Sequence, residues 1–241
     1  MKYEGKNAVL ELLKTDKTID KILLRKNAQD ALGRIFAEAR AKGVRVQFAD
    51  EKALDRESET GRHQGVIAYA TDFVYADLDE LSPPADTPRL VIVCDGIEDV
   101  HNLGSILRVA ECVGASGVVI PKNKSAQVNE SVMRISEGAA NHIKIARVPG
   151  VNYAVDELKK NGYWVYALEA AGEDIYAADL TGDVALVIGG EDSGVGALTQ
   201  KKCDKLVSLP MFGKINSLNA SVALGVAAYE VVRQRKCPTK N

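Results

Sequence analysis

Leu90-Val91-Ile92-Val93-Cys94 is an apolar run that ends on Asp95-Gly96 and is followed by a polar stretch, Ile97 to Gly104, and then by Ser105-Ile106-Leu107-Arg108-Val109-Ala110-Glu111-Cys112-Val113-Gly114. A short run without polar alternation reads as a strand buried on both faces. Apolar residues spaced at three and four and closed by glycine read as a helix. The same unit recurs outward from this one. Strands are predicted at 117–120, 143–146, 163–168, 184–188 and 205–209, and helices at 105–113, 130–139, 152–160, 199–203 and 219–235. This alternation predicts an α/β fold with a mostly parallel sheet covered on both faces, whose ligands sit beyond the carboxyl ends of the strands.

Toward the N-terminus the pattern is smaller. Helices are predicted at 7–13, 28–42 and 52–57 and strands at 21–24, 44–48 and 65–70, a small α/β domain over residues 1–72. Between the domains, residues 71–88 hold five acids (Asp72, Asp77, Asp79, Glu80, Asp86), no base, and Pro83, Pro84 and Pro88, so a solvated linker is placed at 73–88 and the larger domain at 89–241. Charge follows the same division. Residues 1–70 carry 14 Lys and Arg against 11 Asp and Glu, whereas residues 89–241 carry 17 of each. A mild basic excess permits an anionic partner for the first domain without requiring one.

Composition excludes several classes. The chain has 241 residues, 46% hydrophobic and 27% charged, an ordinary globular balance. No apolar run approaches the roughly twenty residues of a membrane helix, and the N-terminus has no apolar core of a signal peptide. Four dispersed cysteines (Cys94, Cys112, Cys203, Cys237) without a CxxC pair fit a cytoplasmic thiol protein in which they are buried small hydrophobes. The three histidines, His63, His101 and His142, lack ligand spacing and read as loop or helix-surface residues, so no metal is expected. Aromatic residues, 5% of the chain, are too few for a broad base-stacking platform.

Three polar, glycine-bearing segments follow strands. In the first, Asn102 or Ser105 is a candidate helix cap, Arg108 leans back toward the helix start, and Gly104 leaves room for a substrate. A guanidinium beside free helix N–H groups suits an RNA phosphate, although the same spacing equally fits an exposed arginine in a surface ion pair. In the second, Gly189-Gly190-Glu191-Asp192-Ser193-Gly194-Val195-Gly196, glycines surround one carboxylate. Such a loop can present bare backbone to a ligand or merely turn. In the third, Leu209 to Asn219, Ser217 and Asn219 precede an apolar helix, which alone favours a simple N-cap. No GxGxxG opens a helix after Leu90–Cys94, which argues against a nicotinamide-dependent oxidoreductase on a similar sheet.

Taken together and in order, NLGSILR (102–108), GGEDSGVG (189–196) and LPMFGKINSLNASVA (209–223) resemble the signature motifs of the SpoU (TrmH) family of RNA ribose 2′-O-methyltransferases, within the SPOUT superfamily. Gly138-Ala139, GKNAV (5–9) and GRHQGV (61–66) add lesser matches, so the resemblance covers nearly the whole chain. It is similar to the 23S rRNA guanosine subgroup, in which a small ribosomal-protein-like substrate-binding domain precedes the catalytic one. The resemblance implies a deep trefoil knot, a homodimer that completes the site, and S-adenosylmethionine held by backbone groups at Gly189, Leu209 and Leu218. It assigns polar active-site roles to Asn102, Arg108, Glu191, Ser217 and Asn219. Two positions depart from the family pattern: Val100 stands where many members have proline, and Ala220 where valine is common. A guanidinium keeps its proton to about pH 12 or beyond, so Arg108 suits a phosphate clamp or alkoxide stabiliser at least as well as a base. The alternatives are a tRNA 2′-O-methyltransferase and a non-catalytic RNA-binding relative.

Overall fold

The structure is a computed structural model, and it describes residues 1–15, 17–26, 31–191 and 193–236. Two compact units divide after Val74.

The first unit is a four-stranded sheet in the order β1-β4-β2-β3, with β1 at Lys2–Glu4, β2 at Thr18–Arg25, β3 at Val46–Ala49 and β4 at Val66–Thr71. Only β2 and β3 run parallel; β4 is antiparallel to both β1 and β2. Helices α1 (Lys6–Lys14) and α2 (Ala31–Ala41) cover one face, packing Val9, Leu12 and Ile35 on Ile22, Leu24 and Val66. Helix α3 (Glu51–Glu57) covers the other with Leu54 on Leu23 and Ile67. Strand β1 is too short to announce itself in sequence, and the first residues of the helix predicted at 28–42 lie outside the described residues. His63 is buried, not a surface residue. Its Nδ1 accepts from the Gly65 N–H at 3.0 Å, so Nε2 carries the proton toward Asp55 Oδ1, also at 3.0 Å.

Glu4 closes this unit. Its carboxylate accepts from the Ser58 hydroxyl at 2.7 Å, the Glu59 N–H at 2.6 Å and both Thr60 groups. Burial alone would raise its pKa, but the hydrogen bonds from Thr60, Glu59 and Ser58 outweigh that and hold it at about 2, against an ordinary 4.5. A carboxyl depressed on folding stabilises above its unfolded pKa and loses that contribution as pH falls through the folded value. Glu4→Gln is therefore expected to lower the melting temperature at pH 7, with the difference from wild type closing between about pH 4.5 and about pH 2. Calorimetric scans across that range check it; a difference independent of pH would refute the assignment.

The second unit is a six-stranded, wholly parallel sheet in the order β10-β8-β9-β5-β6-β7. Its strands are β5 (Leu90–Asp95), β6 (Gly117–Pro121), β7 (Ile145–Val148), β8 (Trp164–Asp174), β9 (Val184–Gly189) and β10 (Lys205–Ser208). Helices α4 (Val100–Cys112), α5 (Glu130–Ile135), α6 (Val151–Lys160), α7 (Ala197–Lys202) and α8 (Ala220–Lys236) form the connections and the end of the chain. The chain steps outward from β5 through β6 to β7, then crosses back to β8, and β9 returns beside β5. The order reverses between β5 and β9, where Asp95 pairs with Gly189 at the carboxyl ends, the switch point at which such sheets bind ligands.

Three expectations are corrected here. The segment placed in a solvated linker at 73–88 belongs to this unit from Tyr75 onward. The Ala76 N–H donates to Ile145 O at 2.9 Å, Leu78 and Leu81 are buried, and Asp77 and Glu80 form a capping box around a short 3-10 turn, Leu78–Leu81. Gly117 has no side chain because Leu81 occupies the space: a Cβ there would lie 2.4 Å from Leu81 Cγ. Two of the acids counted as solvated charge are thus cap groups. The helix predicted at 130–139 stops at Ile135, where Glu137 and Gly138 adopt positive φ of 49° and 86°. Of the cysteines, Cys94 is buried and Cys203 partly so, and burial pushes both thiols up to about 12, but Cys112 is exposed. Cys237 lies outside the described residues.

Candidate active site

Helix α4 begins at Val100, not at Ser105, and neither Asn102 nor Ser105 caps it. Asp99 does, its Oδ1 accepting from the N–H groups of His101 at 2.6 Å and Asn102 at 3.0 Å. Gly104, which suggested room for a substrate, is buried inside the helix. A Cβ there would lie 2.6 Å from Ile135 Cγ2, so the missing side chain admits α5 and no ligand. Asn102 consequently stands in the first turn of α4, close to the carboxyl end of β5.

The loop after β9 is pinned from two strands. The Gly190 N–H donates to Asp95 O at 3.0 Å and the Gly196 N–H to Asp95 Oδ2 at 2.9 Å. From β8, Glu169 Oε1 accepts from the Val195 N–H at 2.5 Å. Sequence reading passed over Asp95 and Glu169 because each holds backbone and carries no motif of its own. Gly189 is buried and serves this packing: a Cβ on it would lie 2.0 Å from Gly194 C and 2.2 Å from Val195 N.

Three polar side chains from three segments meet there. Asn219 Oδ1 caps α8, accepting from the Ser221 N–H at 3.0 Å and its hydroxyl at 2.6 Å. That fixes which end of the amide faces the site. Asn219 Nδ2 donates to Asn102 Oδ1 at 2.8 Å and to Glu191 Oε1, and Asn102 Nδ2 donates to the same Glu191 oxygen at 3.0 Å. The orientations are mutually consistent, each amide oxygen accepting and each amide nitrogen donating in the arrangement that satisfies the cap. Among the described residues Glu191 Oε2 has no hydrogen-bond partner, so one carboxylate oxygen is available to a ligand. The reading of Asn219 as a mere cap is half the account; the cap is what aims it.

Arg108 is not brought to this cluster within the chain. Six residues beyond Asn102, it lies about 240° around the helix, and its Nη1 pairs with Glu137 Oε1 at 2.6 Å, both side chains more than half exposed. Ser217 and Leu218 are exposed and Leu209 is half-buried. None of the backbone N–H or C=O groups of residues 209–218 has a partner among the described residues. A cofactor with a purine and an amino-acid end is recognised through such free donors and acceptors, and this segment fits one. No group of His, Cys, Asp or Glu among the described residues could hold a metal, and no described helix is long and apolar enough to cross a membrane.

The fold is shared with solved structures. A crystal structure of the SpoU methyltransferase AviRb from Streptomyces viridochromogenes in complex with AdoMet is 23% identical, with a TM-score of 0.64, covering 98% of this chain and 90% of that one. An AdoMet-bound rRNA methyltransferase from Sinorhizobium meliloti is 23% identical with a TM-score of 0.62, covering 99% of this chain and 88% of that one. These likenesses show that the chain shares the fold of those structures. The pattern of the SpoU rRNA Methylase family matches residues 89–229, and that of the RNA 2′-O ribose methyltransferase substrate-binding domain matches residues 3–76. The 23S rRNA (guanosine-2′-O-)-methyltransferase RlmB of Ralstonia nicotianae and the TrmH-family protein YacO of Bacillus subtilis are each 42% identical, covering 96% of this chain and 94% of theirs. The chain belongs to the SpoU rRNA methylase family, and it is an S-adenosylmethionine-dependent RNA 2′-O-ribose methyltransferase.

Proposed function

We propose that the protein methylates the ribose 2′-oxygen of a guanosine in 23S rRNA. The observation that carries the reading is the Asn102–Glu191–Asn219 cluster, assembled from all three family motifs at the switch point. The substrate follows the RlmB relatives, which share 42% of their residues with nearly the whole of this chain. Bound S-adenosylmethionine supplies a methyl group on a sulfonium sulfur, and the free backbone of 209–218, including Leu209 and Leu218, would hold it. Gly189 shapes the floor of that site. The reaction makes a bond from the ribose oxygen to the methyl carbon and breaks the sulfur–carbon bond; the hydroxyl proton leaves to water.

Within this reading Glu191, fixed by two amides, orients the ribose hydroxyl through its unpaired oxygen. Arg108 clamps the adjoining phosphate or stabilises the developing alkoxide, and Ser217 orients the sugar. The exposed pair of Arg108 with Glu137 is weak enough to exchange for a phosphate. Homodimerisation is the route by which Arg108 meets the cluster. It is supported by the exposed apolar stripe of Val222, Val226 and Tyr229 on one side of α8, with Leu218 exposed just before it. Residues 1–72 capture RNA, the trefoil knot implied by the family lies near the C-terminus, and the protein works in the cytoplasm.

Mapping 2′-O-methyl sites in total RNA from cells with and without the protein tests the substrate. One guanosine of 23S rRNA is expected to lose its mark. Loss confined to a tRNA position would favour the tRNA alternative that the naming of YacO leaves open, and no loss at all would favour a non-catalytic relative.

A further inference from the structure

The cations of the second unit are unevenly satisfied. Arg89, Lys144, Lys159, Lys160, Lys202 and Lys205 each pair with a carboxylate. By contrast, Lys122, Lys124 and Arg134 are exposed without a carboxylate partner among the described residues, as are Lys201, Lys214 and Lys236, which are scattered along the chain. The first three fall in one stretch, residues 121–135, which contains a single acid, Glu130. The stretch leaves the carboxyl end of β6, the same edge of the sheet as the Asn102–Glu191–Asn219 cluster.

The turn that carries Lys122 and Lys124 is held rigidly. The Lys122 N–H donates to Val148 O at 2.8 Å, the Ala126 N–H to Ile97 O at 2.7 Å, and the Val128 N–H to the Tyr75 hydroxyl at 2.9 Å. Gln127 Nε2 braces it from inside, donating to Pro121 O at 3.1 Å. Ser125, Ala126 and Val128 are buried while 122–124 are exposed, so a fixed backbone presents two ammonium groups. The bond to Ile97 ties the turn to the β5–α4 loop that leads into Asn102. Lys124 also sits at φ 53°, where an L side chain is disfavoured and glycine or asparagine is at ease. A strained lysine with no carboxylate partner among the described residues points to a partner outside the chain.

We propose that the 122–124 turn is an RNA-phosphate contact of the catalytic unit, additional to the Asn102–Glu191–Asn219 cluster and to the substrate-binding unit. It rests on the reading of RNA as the substrate. Two lysines each meeting a phosphate release about two counterions and lower the log–log salt slope by about 0.7–0.9 apiece when removed.

The test is binding of a deproteinised 23S rRNA transcript to the full-length protein over a range of salt. Comparison variants are Lys122→Ala with Lys124→Ala, and Lys124→Gly alone. The double variant is expected to bind on the order of tenfold more weakly near physiological salt, with the slope shallower by about 1.5. In methyl transfer its KM for RNA rises while kcat holds. Lys124→Gly relieves the backbone, so its melting temperature stays equal or rises while RNA affinity falls; Lys124→Arg keeps the charge and the affinity. Unchanged affinity and slope in the double variant, with wild type binding and methylating the transcript, overturns this contact and leaves the substrate reading intact. A wild-type protein that neither binds nor methylates the transcript overturns the substrate reading and the contact with it.

Discussion

Arg108→Ala is expected to lower kcat/KM for RNA methylation by about 10²–10³-fold or more while S-adenosylmethionine still binds within about twofold of wild type. The size follows from the chemistry. A ribose hydroxyl is a poor nucleophile, and negative charge accumulates on its oxygen as the methyl transfers. A cation beside that oxygen or its phosphate acts mainly in the transition state, so its removal falls on kcat. Folding is spared, because the Arg108–Glu137 pair is exposed and breaking it costs at most about 1 kcal/mol. Arg108→Lys is expected to recover only part of the loss, since an ammonium replaces a planar fork with a point charge. Single-turnover methyl transfer with calorimetric titration of the cofactor product separates the effects. Near-normal turnover in Arg108→Ala would exclude both roles.

How far the sequence reveals this site depends on the kind of residue. Strands β5, β6 and β9 are short apolar runs buried on both faces, and their positions agree with expectation within a residue or so, whereas β8 runs six residues past the predicted end through a mostly exposed, charged stretch. Composition decides such buried runs, so they are legible. Gly104 is misread as room for a substrate, and only the position of Ile135, thirty-one residues later, shows that it is a packing gap. The acidic stretch after Val74 is misread for the same reason: Leu78 and Leu81 are two apolar residues among acids, and their burial depends on a hollow left by Gly117 in a distant strand. In the site, Asn102, Glu191 and Asn219 are legible only as a set, through motifs, because alone each fits a cap or an exposed loop. Asp95 and Glu169 carry no such signal, and their work of holding the 190–196 loop appears only when β5, β8 and β9 lie side by side.

That loop also carries the largest expected loss of stability, in Gly189→Ala. The Cβ would arrive 2.0 Å from Gly194 C, 2.2 Å from Val195 N and 2.4 Å from Gly194 O, all backbone atoms that no side-chain rotation can move. The loop has no easy retreat. Its N–H groups are committed to Asp95, Glu169 and Gly190 O, and Val195 is only 1% exposed within the core. Relief of the clash therefore breaks two or three of these hydrogen bonds at about 1 kcal/mol each, on top of an overpacking cost of about 1–3 kcal/mol. The expected destabilisation is about 3 kcal/mol or more. Displacing Gly190 also moves Glu191 off the two asparagine amides, so cofactor binding and methyl transfer should fall together. Gly182→Ala is the matched control, because nothing lies within 4 Å of its added methyl. It should be neutral or stabilising by up to about 1 kcal/mol through the unfolded chain. The chain has a single tryptophan, Trp164 in β8, so urea unfolding followed by its fluorescence reports on the second unit. Equal midpoints for Gly189→Ala and Gly182→Ala would mean that the loop can yield, and that the glycine is present for the ligand instead of for the chain.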